Sequence, residues 1–142
     1  MNNSHSRFLN KRISITFLIL VFVQGVHSIK EYIGKLWIVI PPSKYLSGLV
    51  SKKPETGFVI INIGLLIFGI FCWFFHIRRN SLLAPGLIWF WIVIELINGI
   101  GHPLWALVER AYVPGVATAP ILLILAIFLF KQMQTFQQKP AS

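Results

Sequence analysis

Acidic side chains are scarce in this chain of 142 residues: four in all, every one a glutamate, against thirteen lysines and arginines. Cysteine is scarcer still, and the single Cys72 excludes an intrachain disulfide. Charged residues of either sign make up only 12% of the chain, while 56% is apolar and 14% aromatic. Soluble domains carry about a quarter charged residues, so this composition, with a mean hydropathy of +0.73, excludes a water-soluble globule. The net charge of +9 raises nucleic acid as a partner. The basic residues are dispersed, however, at Arg7, Lys11 and Arg12, at Lys52 and Lys53, at Arg78 and Arg79, and at Lys131. They sit at the ends of apolar runs, as snorkelling anchors do when they meet anionic lipid headgroups. Membrane lipid is therefore the expected partner, and nucleic acid is not.

Four apolar segments cover about 13–36, 57–77, 83–108 and 114–131. Each is near the roughly 20 residues that cross a hydrocarbon core, and in lipid such a run satisfies its backbone groups as a helix. The expected fold is an all-α membrane protein, a four-helix transmembrane bundle over 13–131, between a basic N-terminal tail (1–12) and a polar C-terminal tail (132–142). Pro54 suits a helix start, Arg78-Arg79-Asn80-Ser81 a tight turn, and Glu109 to Gly115 another. These short links make segments two, three and four antiparallel neighbours. The longer link from Ile38 to Thr56 carries Pro41-Pro42, and its piece from Tyr45 to Val50 is expected in the interface. Trp37, Trp89, Trp91 and Tyr112 fall near segment ends, where interface aromatics belong.

Segment one also has the look of a signal peptide, with basic residues ahead of an apolar core and Val26-His27-Ser28 as a cleavage-like site. Cleavage would leave three spans. The helical pattern continues past Ser28 through Ile29, Ile33, Leu36 and Trp37, which favours an intact span. The tight Arg78-Arg79 turn and the basic N-terminus favour termini in the cytoplasm, which is the expected orientation.

Polar residues interrupt this pattern at regular spacing. Glu95, Asn98 and His102 are three and four residues apart within segment three, and so share a helix face. Gln24, His27 and Glu31 repeat that spacing in segment one. If the stripes face each other, one pocket gathers His27, Glu31, Glu95 and His102 as acid–base groups, with Asn98 among them as a candidate catalytic residue that orients them. His27, Glu31 and His102 are also the candidate ligands of a divalent metal. The competing account is helix stitching at roughly 0.6–2 kcal/mol per polar contact, and for Asn98 alone it is the better one. Glu95 lies about twelve residues into its span, where a charge is costly. It needs to be neutral or to have a partner such as His27, His102 or Arg110. Segment two offers Asn62, and segment four offers Thr118 near its start. His76 adjoins Arg78-Arg79 and reads as interfacial, and His5 belongs to the N-terminal tail. Pro103 cannot donate to the Gly99 carbonyl, so a kink is expected beside His102.

Three elements in order resemble the HXXEE family of small membrane proteins: His27-Ser-Ile-Lys30-Glu31, Asn98-Gly-Ile-Gly-His102, and Arg110-Ala-Tyr112-Val-Pro114-Gly115 with Thr118 following. Lys30 stands where the first glutamate of the family pattern would be. The resemblance covers about residues 20–130. It implies a four-helix membrane domain whose site joins His27, Glu31, Asn98, His102, Arg110 and Tyr112, and it brings no established reaction.

The leading expectation is a membrane-embedded protein that acts on or binds a lipophilic small molecule. Asn98 would orient His102 or the substrate, while Arg110 and Tyr112 would anchor a polar head. Non-enzymatic lipid binding, or a subunit role in a membrane complex, is the first alternative. A proton-coupled transporter working as a homo-oligomer is the second, and the absence of a convincing inverted repeat counts against it.

Overall fold

The computed structural model describes residues 9–138; His5, Arg7 and Lys139 lie outside the described residues. The described chain is helical, and its elements are α1 (Lys11–Ile33), α2 (Leu36–Val39), α3 (Pro41–Val50), α4 (Pro54–Phe71), α5 (Ala84–Glu109) and α6 (Ala119–Gln138). A π-helical stretch, Cys72–Ile77, continues α4. Four helices are long and apolar enough to cross a bilayer: α1, α4 with its π stretch, α5 and α6. This is a multi-pass membrane protein.

Local chemistry sets the helix ends. Asn10 caps α1, its side-chain oxygen accepting from the Arg12 backbone N–H at 3.1 Å. Prolines occupy the first turn of α3, α4 and α5, where the missing N–H has no helical partner to lose. Pro41-Pro42 thus opens a short helix inside the expected loop, with Tyr45, Leu46, Leu49 and Val50 on its exposed side. The fourth span begins at Ala119 rather than near Pro114, because a run of turns occupies the residues after Arg110. It extends to Gln138, since the Lys-Gln-Met-Gln stretch from Lys131 is made of good helix formers. α5 runs unbroken through Pro103.

The distribution of polarity is that of a protein dissolved in lipid. Ile15, Ile19, Phe22, Val26 and Ile29 face outward from α1, while Gln24, His27 and Glu31 on the same helix are buried. Around the bundle α1 packs on α4 and α6, and α5 packs on α6 and on the π stretch. α1 and α5 therefore oppose each other across a diagonal. Long side chains span it, including Phe17 edge-on to Trp91 at 5.8 Å. Trp91 is fully buried and Trp37 packs on Phe58, so these two are core residues rather than interface anchors.

Two apolar clusters bracket the diagonal. The larger, including Ile13, Phe17, Leu20, Ile88, Trp91 and Met133, fills the end of the bundle that carries the chain termini. The smaller, Leu36, Trp37, Phe58 and Val113, closes the opposite end. α5 and α6 approach closely at Gly99, where a Cβ would lie 2.9 Å from the backbone of Leu123. Gly101, on the same helix, faces open space. Gly99→Ala should therefore destabilise the protein by about 1–3 kcal/mol through overpacking. Gly101→Ala should be neutral or slightly stabilising. Thermal melts followed by circular dichroism in one detergent compare the two, and equal effects would contradict the close contact.

Candidate functional site

Each side chain of the site is placed by helical register. In α1, positions 24, 27, 28 and 31 turn inward; in α5, positions 95 and 102 are buried and 98 is partly so. At this end of the bundle α5 stops at Arg110, whose left-handed backbone (φ 51°) turns the chain back. Val113, Pro114 and Gly115 then fold in over the helix ends and are buried. Gly115 has φ +90°, and a Cβ there would lie 2.8 Å from His27 Cε1, 3.0 Å from His102 Cε1 and 3.1 Å from Glu31 Cγ. Only glycine fits, both for its backbone and for the space.

Beneath Gly115 three side chains converge. His102 Nε2 lies 2.9 Å from Glu31 Oε1, His27 Nε2 lies 3.2 Å from the same oxygen, and the two nitrogens are 3.3 Å apart. The imidazole rings meet edge to face, 86° apart. His27 is fully buried, and Glu31 and His102 are each 5% exposed. On its far side His27 Nδ1 is 2.7 Å from Thr118 Oγ1, and that hydroxyl donates to the Gly115 carbonyl at 3.1 Å. With its one proton so used, the Thr118 oxygen accepts from His27 Nδ1–H, and this contact turns Nε2 toward Glu31. His102 Nδ1 is buried and has no partner.

Glu95 lies off this triad. It is fully buried, makes no hydrogen bond or ion pair with either histidine, and accepts on Oε2 from Asn98 Nδ2 at a long 3.5 Å. Asn98 also donates to Gln24 Oε1 at 3.4 Å, and Gln24 Nε2 donates to Ser28 Oγ at 3.2 Å. Ser28 in turn donates to Asn62 Oδ1 at 2.6 Å, and Asn62 donates to the Phe58 carbonyl at 3.0 Å. This polar ladder ties α5 to α1 and α1 to α4. It ends on the floor of a cleft of about 500 Å³ between α1 and α4, lined almost wholly by apolar side chains.

Depth separates triad from ladder. His27 precedes the end of α1 by six residues and His102 precedes the end of α5 by seven, about 10 Å at 1.5 Å per residue. Glu95 precedes the end of α5 by fourteen residues, about 21 Å, which is near the middle of its helix. Arg110 and Tyr112 are not part of the triad and are exposed, in the turn that follows α5. Ser28, and the direct contact of Gly115 with both imidazoles, are not among the site residues expected from the sequence. Ser28 could have been found by its spacing of four from Gln24, and Gly115 only by folding the turn.

A family model described as "Protein of unknown function with HXXEE motif" matches residues 16–130. The chain belongs to this family. No curated protein and no solved structure matches it. The HXXEE motif lies on α1, and its first and last positions, His27 and Glu31, are the two that meet. Lys30, at the position of the motif's first glutamate, is exposed on the outer side of α1, so the triad is complete without it.

Gly115→Ala should displace the turn from the imidazoles and lower stability by about 1–3 kcal/mol, as strain and overpacking together require. Thermal melts in detergent report the loss. Unchanged stability would contradict the packing of Gly115 on the triad.

Proposed function

We propose that this protein binds, and acts on, an amphipathic lipid or similar lipophilic molecule whose polar group engages His27, Glu31 and His102. The observation that carries this reading is the convergence of two imidazoles and a carboxylate on one point inside a membrane bundle, capped by Gly115. Stitching helices requires one or two polar contacts, and the Asn98–Gln24 and Ser28–Asn62 bonds already do that. Three titratable groups focused together go beyond that need and supply what proton transfer or polarisation of a carbonyl requires.

The depth of the triad favours a lipid. It lies about 10 Å inside the helix ends, where the polar-to-apolar boundary of a lipid falls, while the reacting molecule's chains remain in the hydrocarbon. Arg110 and Tyr112 at the exposed rim of the same end are in reach of a headgroup, Arg110 as a fixed positive charge. Glu95, Asn98 and Gln24 are positioning residues on this reading. They hold α1 against α5 so that the histidines meet.

Transport is supported less well. Polar side chains on the diagonal run from the triad to Glu95, and beyond it Phe17, Leu20, Ile88 and Trp91 fill most of the bundle with apolar volume, interrupted by the Gln132–Thr16 hydrogen bond. A conducting or alternating pathway needs polar lining on both sides of its site.

Native mass spectrometry of the full chain, released from a mild detergent, tests the proposal. Wild-type protein should carry a defined co-purifying lipid. His102→Ala and Glu31→Gln should each reduce its retention by about tenfold or more, the loss of one charge-assisted contact. Both variants should remain helical and monodisperse. Lipid content identical in wild type and variants would overturn the reading, and loss of assembly would support the packing account instead.

A further inference from the structure

The triangle formed by His27 Nε2, His102 Nε2 and Glu31 Oε1 has edges of 2.9, 3.2 and 3.3 Å. Metal–nitrogen and metal–oxygen bonds of about 2.1 Å that meet at 90–109° put their donor atoms about 3.0–3.4 Å apart. The three atoms therefore have the spacing of one face of a metal's coordination shell. We propose that His27 Nε2, His102 Nε2 and Glu31 Oε1 are the protein ligands of one divalent transition-metal ion. This rests on the same three side chains as the proposed function, and it does not need the lipid.

The orientation of the donors supports a shared cation. His27 is held at Nδ1 by Thr118, so its Nε2 faces Glu31 Oε1 and His102 Nε2. Bound in place of the protons that otherwise bridge these atoms, a divalent ion offsets the Glu31 charge where all three groups are buried and where, among the described residues, no lysine or arginine pairs with Glu31.

The donor set selects the class of metal. Two imidazoles with one carboxylate suit zinc or iron(II), whereas magnesium and calcium take oxygen ligands. Outer contacts orient one ligand more firmly than the other. His27 is held by Thr118, and the Thr118 hydroxyl by Gly115, the carbonyl-anchored arrangement that fixes a ligating histidine. His102 Nδ1 has no such partner, so its orientation comes from packing alone. Three protein ligands leave at least one position for a water or for an oxygen of a bound molecule.

The test uses the full-length protein in mild detergent, carried on an affinity tag without histidine, stripped with a chelator and reloaded with Zn²⁺ or Co²⁺. Elemental analysis by plasma mass spectrometry should find about one metal per chain, one set of ligands binding one ion. X-ray absorption of the wild type should show two imidazole nitrogens at about 2.0–2.1 Å. Metal should be lost from the combined His27→Ala, Glu31→Gln, His102→Ala variant and retained by Tyr45→Ala, which alters an exposed side chain of α3 away from the site. Thr118→Val should weaken binding by about 10–100-fold without removing a ligand. No stoichiometric metal on wild type, equal metal on the triple variant, or a ligand shell without two imidazoles would each overturn the inference. The absorption spectrum needs only the wild type, so it decides the matter even if the triple variant does not fold. A metal-free protein that still loses its lipid on His102→Ala would sink the metal and leave the proposed function standing.

Discussion

A polar group inside a bilayer has no water to turn to, and this one constraint organises the structure. Most polar side chains that α1 and α5 carry in their middles find partners within the bundle, although Glu95 Oε1 and His102 Nδ1 are buried without a hydrogen bond. The arrangement places α1 and α5 on a diagonal rather than side by side. Only long side chains reach across a diagonal, and the ones that do are Phe17 to Trp91, Gln24 to Asn98, and His27 and Glu31 to His102. α4 and α6 occupy the other diagonal and contribute Asn62, Thr118 and the glycine-bearing turn that leads into α6. Stability and site are thus one problem: what holds the helices together also collects the titratable groups.

The bundle is layered along the membrane normal. Apolar packing fills the end with the termini, the long-range amide ladder of Glu95, Asn98 and Gln24 comes next, then the triad, then a thin apolar cap around Trp37 and Val113. The weak members of this stack are the 3.4 and 3.5 Å amide contacts, and the tight ones are those of the triad and of His27 with Thr118. The polar energy of the structure is therefore concentrated where the chain folds back at Gly115.

The fold was largely legible before folding because lipid leaves few choices. An apolar run of about twenty residues is a helix, and short links between runs make neighbours. Helix ends near Pro114 and Lys131 were not, since where turn yields to helix depends on Gly115 lying against the triad, and polar residues past the membrane continue a helix without an apolar signal. Within the site, spacing of three and four put His27 with Glu31 on one face and Glu95 with His102 on another. It could not say that His102 would meet Glu31 across the bundle while Glu95 stayed a separate group, because that depends on the relative height of two helices. The interface aromatics show the same limit. Trp91 sits near the start of α5, yet rotation about the helix axis turns it inward onto Phe17.

The apolar packing around Phe17 and Trp91 also fixes how the site experiences an electric field. It fills the bundle on the side of the termini, whereas only the thin cluster around Trp37 and Val113 separates the triad from the opposite end. The triad lies nearer that end of the helices, so an ion reaching it from there would cross only the smaller part of the membrane potential, about 1 kcal/mol or less per elementary charge at 100 mV. A cation bound as proposed at His27, Glu31 and His102 would therefore feel the membrane potential as well as the ligands themselves.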